Sequence, residues 1–255
     1  MDVGFRNPAE RRAFRAAQLS PITTGERLPV ADGAVELVRV RLDAETAATD
    51  DLALCLSDAE RVRAGRFVFE RDRRRFMVGR ARLRELLASR LGTRTDLIEL
   101  EYGPRGKPML AGDLAESDLR FNLSHCGDVA LYAFSRGCEI GVDVEAVREL
   151  SDADAIAARF FSPRENQSYL ALDPRDRPLG FFNCWTRKEA FIKALGEGLH
   201  YPLASFDVSL APGEPAQILR VGETPGHDVG WCLQSLVPEP GMAAAVVVEK
   251  SLSRA

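Results

Sequence analysis

Between Val129 and Glu145 the chain leaves little choice of fold. Val129-Ala-Leu-Tyr-Ala-Phe134 is apolar throughout and reads as a buried strand. Ser135-Arg-Gly137 is a turn, and Cys138–Glu145 reads as a second strand pairing with the first as a hairpin. Side chains two apart on a strand share a face. Val142 and Val144 therefore point to a core, while Asp143 and Glu145 point together to the other side. Two neighbouring carboxylates repel and lose hydration, so a positive group between them is expected. Oxygen ligands of this kind suit Mg²⁺, which binds through one or two carboxylates plus substrate phosphates. Solvated carboxylates, or carboxylates paired with arginine, are the alternative.

Two further stretches bear on that choice. Trp185-Thr-Arg-Lys-Glu189-Ala-Phe-Ile-Lys193 has helical spacing, with Trp185, Glu189 and Ile192 on one face. Glu189 then sits on the apolar side, where a carboxylate without a partner is costly. A plain Glu189–Lys193 surface pair is the competing explanation. Lysine usage argues against it. The chain has 34 basic residues, and only four of them are lysines: Lys107, Lys188, Lys193 and Lys250. Three of the four fall inside or beside these motifs, and a compact ammonium differs chemically from a guanidinium fork. The bias reads as a requirement of a site. The other stretch, Phe121-Asn-Leu-Ser-His125, offers a hydroxyl and an imidazole on a strand. Adjacent strand residues face opposite ways, so Ser124 and His125 are not a nucleophile and its base.

Ser124-His125, Gly141-x-Asp143-x-Glu145 and Trp185-x-x-Lys188-Glu189-Ala190, in that order, resemble the signature of the 4′-phosphopantetheinyl transferases. The longer, monomeric Sfp-type branch fits best, and the resemblance runs from about Ser57 to Asp207. It implies an α+β fold of two similar halves related by a pseudo-two-fold axis, with the ligand at their seam. It implies transfer of 4′-phosphopantetheine from coenzyme A to a serine of an apo carrier protein, releasing adenosine 3′,5′-bisphosphate. The carriers would be fatty-acid, polyketide or nonribosomal-peptide synthase domains. The metal, Mg²⁺ or Mn²⁺, would lie on Asp143, Glu145 and Glu189. Glu189 would take the serine proton, directly or through water, and Lys193 would steady the transferred phosphate. Arg63, Arg75, Lys107, Ser124 and His125 would hold the nucleotide end, with Arg61 an open alternative to Arg63. A Mg²⁺-dependent phosphohydrolase and a non-catalytic coenzyme A-binding module are the rival readings. No separate water-activating group is evident for the first, and neither Asp143 nor Glu189 is lost as the second would suggest.

The rest of the chain is consistent with that outline. A formal charge of −4 gives no overall pull toward nucleic acid or membrane, although Arg61–Arg90 is locally rich in arginine. Five cysteines without a C-x-x-C pair suit a reduced compartment, and no secretory signal is evident, so a cytoplasmic protein is expected. Residues 1–32 read as a poorly ordered arm with one short helix around Pro8–Leu19. Residues 33–137 and 138–255 read as the two halves. Ser57 with Glu60 forms a capping box opening a helix to Phe69, and a long helix runs from Asp72 to Leu91, closed by Gly92. Gly103-Pro-Arg-Gly-Lys107-Pro108 is a loop in which two glycines allow close backbone approach to a ligand, or else a plain turn. Arg66-Phe67 before one apolar helix is echoed by Arg159-Phe160 before another, a faint repeat with a period of about 100 residues.

Overall fold

The structure is a computed structural model, and it describes residues 27–30, 33–43, 55–225 and 230–250. The chain divides into two compact units. One comprises Met1–Arg39, Asp118–Cys126 and Leu131–Ala255, and the other Val40–Ser117 and Gly127–Ala130. The arm expected over residues 1–32, with its helix around Pro8–Leu19, lies outside the described residues as far as residue 26. Arg27–Val30 forms a strand, β1.

β1 pairs antiparallel with β2 (Gly33–Arg41). The smaller unit then begins with helix α1 (Asp58–Ala64). Ser57 accepts from the Glu60 N–H and Glu60 reaches back to the Ser57 N–H, which is the expected capping box. The helix stops at Ala64 rather than Phe69, because Gly65 caps it and a turn over residues 65–69 redirects the chain. Helix α2 (Glu70–Leu91) follows. It buries Met77, Val78, Ala81, Leu83, Leu87 and Ala88 at helical spacing and leaves most of its arginines on other faces. Gly92, left-handed at φ 65°, ends it as expected. A 3-10 turn (Thr95–Leu97) and the hairpin of β3 (Leu100–Tyr102) with β4 (Pro108–Leu110) complete this unit. Buried Arg84 ties the parts together. Its Nε donates to Glu60 (2.7 Å), and its Nη1 donates to the carbonyls of Thr95 (3.2 Å) and Ile98 (2.7 Å).

Two sheets build the larger unit. One has the order β1-β2-β6-β5, from β5 (Leu119–Cys126) and β6 (Val129–Arg136). The other has the order β11-β12-β7, from β7 (Ile140–Ala146), β11 (Trp231–Leu236) and β12 (Met242–Glu249). The hairpin expected between Val129–Phe134 and Cys138–Glu145 does not form. β7 pairs instead with β12, placing Asp143 opposite Ala245. Burial explains the departure. Val142 and Val144 share one core cluster with Leu131 and Ala133 of β6 and Val35 and Leu37 of β2. Such face-to-face packing buries these side chains, whereas edge-to-edge pairing would leave the two strands side by side.

The other face of the β7 sheet is covered by helices. These are α3 (Ala153–Phe160), α4 (Pro163–Leu170), opened by a second capping box of Ser162 and Glu165, and α5 (Arg177–Leu195). Phe181, Phe191 and Ile192 of α5 join Ala243, Ala245 and Val247 of β12 in one core. The helix is buried on nearly every side and ends at left-handed Gly196, φ 77°. A small sheet of order β10-β9-β8 lies beyond it: β8 (Phe206–Val208), β9 (Ile218–Val221) and β10 (Thr224–Pro225). No described helix is long and apolar enough to cross a membrane.

Candidate active site

The face shared by β5 and β7 builds the site. Residues of β5 at every second position meet β7. Asn122 Oδ1 accepts the Val142 N–H (2.9 Å), Ser124 Oγ donates to Asp143 Oδ1 (2.8 Å), and Cys126 Sγ lies 3.7 Å from Glu145 Oε2 while accepting the Ala146 N–H (3.3 Å). The period of two that places Asp143 and Glu145 on one face also aligns Ser124 and Cys126 opposite them. That signal stands in the sequence, although the reading from sequence did not draw Asn122 or Cys126 into the site.

Helix α5 brings the remaining groups. β7 crosses it at Gly141, where a Cβ would strike the Ala190 carbonyl oxygen and the Ala194 nitrogen. Only a glycine permits that approach, which carries Asp143, two residues on, to the helix. Lys193 Nζ donates to Asp143 Oδ1 (2.6 Å) and to Ser124 Oγ (3.1 Å). The lysine thus answers Asp143 on the neighbouring strand rather than acting as a surface partner of Glu189.

Glu189 is half-buried and faces both strand carboxylates. Burial pushes its carboxyl up to about 7; nearby Lys193 opposes this, while Asp143 and Glu145 add to it. Glu145 is also raised, first by burial and then by Asp143. Asp143 Oδ2 and Glu189 Oε1 are shut off from solvent without a hydrogen-bond partner. Among the described residues, no three His, Cys, Asp or Glu side chains converge closely enough to hold a metal ion as they stand. Two orphaned oxygens and a carboxyl driven toward neutrality by burial, with like charges adding to it, are nevertheless the chemistry that a dication between them would relieve.

The other expected residues fall as follows. Ser124 is buried in the site, whereas His125 points to the opposite, exposed side of β5. Arg63, Arg75 and Lys107 lie in the smaller unit. Arg63 is exposed, with its guanidinium over the Phe76 ring. Arg75 already donates to Asp128 (2.7 Å) and Asp72 (3.4 Å). Lys107 closes the glycine loop by accepting the Gly103 N–H on its carbonyl (3.0 Å), with Gly106 left-handed at φ 81°. Arg61 donates to Asp58 and to the Leu56 carbonyl. Lys188 departs from the reading that its rarity marks a site. Its ammonium is buried against Glu165 (2.8 Å) and the carbonyls of Leu203 and Phe206 (both 2.7 Å). Three donors find three acceptors, so Lys188 is a bolt in the fold.

Comparison with known proteins places the chain in a family. A family model described as "4'-phosphopantetheinyl transferase superfamily" matches residues 139–247, and one described as "4'-phosphopantetheinyl transferase, N-terminal" matches residues 45–136. The 4'-phosphopantetheinyl transferase HetI of Nostoc sp. is 40% identical over 84% of this chain and 87% of its own length. The 4'-phosphopantetheinyl transferase psf-1 of Bacillus pumilus is 31% identical over 76% and 79%. The human L-aminoadipate-semialdehyde dehydrogenase-phosphopantetheinyl transferase is 32% identical over 60% of this chain and 52% of that protein. A crystal structure of Thermotoga maritima holo-[acyl-carrier-protein] synthase aligns with a TM-score of 0.32 at 24% identity, over 44% of this chain and 62% of that one. These relatives make the chain an enzyme of the transferase class. It belongs to the 4′-phosphopantetheinyl transferase superfamily.

Proposed function

We propose that the chain moves the 4′-phosphopantetheine arm of coenzyme A onto a serine of an apo carrier protein and releases adenosine 3′,5′-bisphosphate. The observation that carries this reading is the trio Asp143, Glu145 and Glu189, in which one oxygen of Asp143 and one of Glu189 are orphaned while Lys193 donates to the other Asp143 oxygen and to Ser124. Asp143, Glu145 and Glu189 would hold Mg²⁺ or Mn²⁺. When bound, the ion would neutralise the charge that builds on the leaving phosphate. Glu189 would accept the serine proton, directly or through a water. Lys193 would exchange Asp143 for the phosphate being transferred. Arg63, Arg75, Lys107, Ser124 and His125 would take the nucleotide end, Arg75 by giving up Asp128 for a phosphate oxygen. The carriers would be fatty-acid, polyketide or nonribosomal-peptide synthase domains, met by a single copy of this chain. A cytoplasmic setting suits five free thiols.

Incubation with coenzyme A, Mg²⁺ and a purified apo-carrier, followed by intact-mass measurement, tests the reading. The carrier should gain one phosphopantetheine group, and a carrier with alanine at its acceptor serine should gain none. Chelation by EDTA should stop the reaction. Rapid cleavage of coenzyme A without any carrier would point to a hydrolase and defeat the proposal.

A further inference from the structure

In the smaller unit, α1, α2 and β3 meet in a stack of rings and guanidinium groups. The Arg63 guanidinium lies 5.2 Å from the centre of the Phe76 ring, and the Arg80 guanidinium lies 5.6 Å from the same ring. Arg80 also lies 5.5 Å from the centre of the Tyr102 ring, so it is wedged between two aromatic faces. Phe67 packs on Phe76 at 5.3 Å. Arg63, Phe67 and Tyr102 line a cavity of about 1210 Å³, whereas Phe76 and Arg80 do not. Arg80 therefore supports the wall without forming its surface.

Charge separates Arg63 and Arg80 from most of the arginines around them, although Arg66 and Arg74 also make no ion pair among the described residues. Arg61 is matched to Asp58, Arg71 to Asp72, Arg73 to Glu70, Arg75 to Asp128 and Arg84 to Glu60. Arg63 and Arg80 make no ion pair among the described residues, and Arg80 Nη1 is shut off from solvent without a hydrogen-bond partner. A ring face attracts a cation through its quadrupole but cancels none of its charge. A carboxylate partner would have cancelled it. The stack thus fixes two guanidinium groups in place, and Arg63, the one on the cavity wall, keeps a positive charge that no carboxylate cancels and that an anion at the cavity can meet.

We propose that Arg80 is a positioning residue for a phosphate-bearing ligand. Through Tyr102 it sets the start of the Gly103–Lys107 loop, and through Phe76 it sets the guanidinium of Arg63. This rests on the proposed function, in which that ligand is the nucleotide end of coenzyme A.

The test uses the full chain with Arg80→Met, which keeps an apolar stem, and Arg80→Lys, which keeps the charge. Calorimetry gives Kd for adenosine 3′,5′-bisphosphate, and transfer assays give KM and kcat for coenzyme A and for dephospho-coenzyme A. Arg80→Met should raise Kd and the KM for coenzyme A about tenfold while kcat stays within about twofold, and Arg80→Lys should stay within about threefold of wild type. The rise in KM should be smaller for dephospho-coenzyme A, which carries one phosphate fewer. Tyr102→Leu removes one ring face and keeps the charge, so it reports even if Arg80→Met does not fold; a Kd raised about threefold is expected. A normal Kd in both Arg80→Met and Tyr102→Leu, beside an active wild type, would overturn this inference alone. So would equal losses in Arg80→Lys and Arg80→Met, or a fall in kcat and melting temperature with KM unchanged. A wild type that neither binds nor transfers would bring down the proposed function and this inference with it.

Discussion

The two units solve one problem with different cations. In each, a capping-box glutamate on a short helix is buried against a basic residue on the longest helix of that unit: Glu60 with Arg84, and Glu165 with Lys188. In each, the cation also binds two backbone carbonyls that flank a 3-10 turn, Thr95 and Ile98 in one case, Leu203 and Phe206 in the other. The difference lies in how completely the charges are met. Lys188 and Glu165 are both 1% exposed, and Glu165 accepts from the Ser162 N–H, the Val208 N–H and Lys188. Glu60 keeps one oxygen without a partner, and the Arg84 bond to Thr95 is only part-buried. The lesson is that a buried pair depends on the dryness of its surroundings more than on its cation. Lysine fits the tighter pocket because its three donors meet three acceptors there and its ammonium sits 4.0 Å from the centre of the Phe206 ring.

Removing one partner should break the symmetry most visibly. Lys188→Met leaves Glu165 as an uncompensated buried charge and should cost about 3–5 kcal/mol in urea unfolding. Arg84→Met should cost about 2–4 kcal/mol, since water can reach part of what Arg84 leaves behind. Equal losses in the two variants would remove the distinction. Exchanging the cations is gentler. Lys188→Arg overfills a closed pocket and should cost about 1–3 kcal/mol, while Arg84→Lys should cost less, because its pocket is more open. Midpoints of denaturation for the pair of variants give the ordering.

Glu189 extends the comparison to a half-buried carboxylate with no cation bonded to it among the described residues. Its folded pKa of about 7 lies above the ordinary 4.5, so its contribution to stability is complete below about 4.5 and is lost as pH rises through about 7. Glu189→Gln should therefore be the more stable protein at pH 8 without divalent ions, by about 1–2 kcal/mol once its residual exposure is allowed for, and should lose that advantage near pH 5. A pH-independent difference would mean that Glu189 does not titrate in this window. The smallest effect expected is on folding of Asp143→Ala, which keeps the fold and loses transfer. Circular dichroism beside the carrier assay checks both halves of that statement.

These contrasts also show what the sequence could say. The Ser57–Glu60 capping box was legible, because Ser-x-x-Glu is a local pattern with a local cause. The same holds for Gly92, and for the shared face of Asp143 and Glu145. Pairing of β7 with β12 was not legible, because strand partners across a hundred residues leave no local trace. Phe121–His125 read as a strand, yet its face toward β7 needed the partner strand to be known. Lys188 was misjudged for a related reason. Rarity marked it as special, but only packing shows that it is special to the fold, whereas Lys193, one turn further on, does reach Asp143.

The ammonium of Lys193, 2.6 Å from Asp143, acts as a resident counter-ion. In the language of ion exchange, the proposed dication would not fill a vacancy but replace a monovalent ion that cannot leave, only swing aside. The net charge gained would be one rather than two, and the displaced ammonium would need a new anion. A pyrophosphate arriving with the metal would supply that anion. The exchange would thus be weighted toward metal and substrate entering together, while without them Asp143 is already held in check by Lys193.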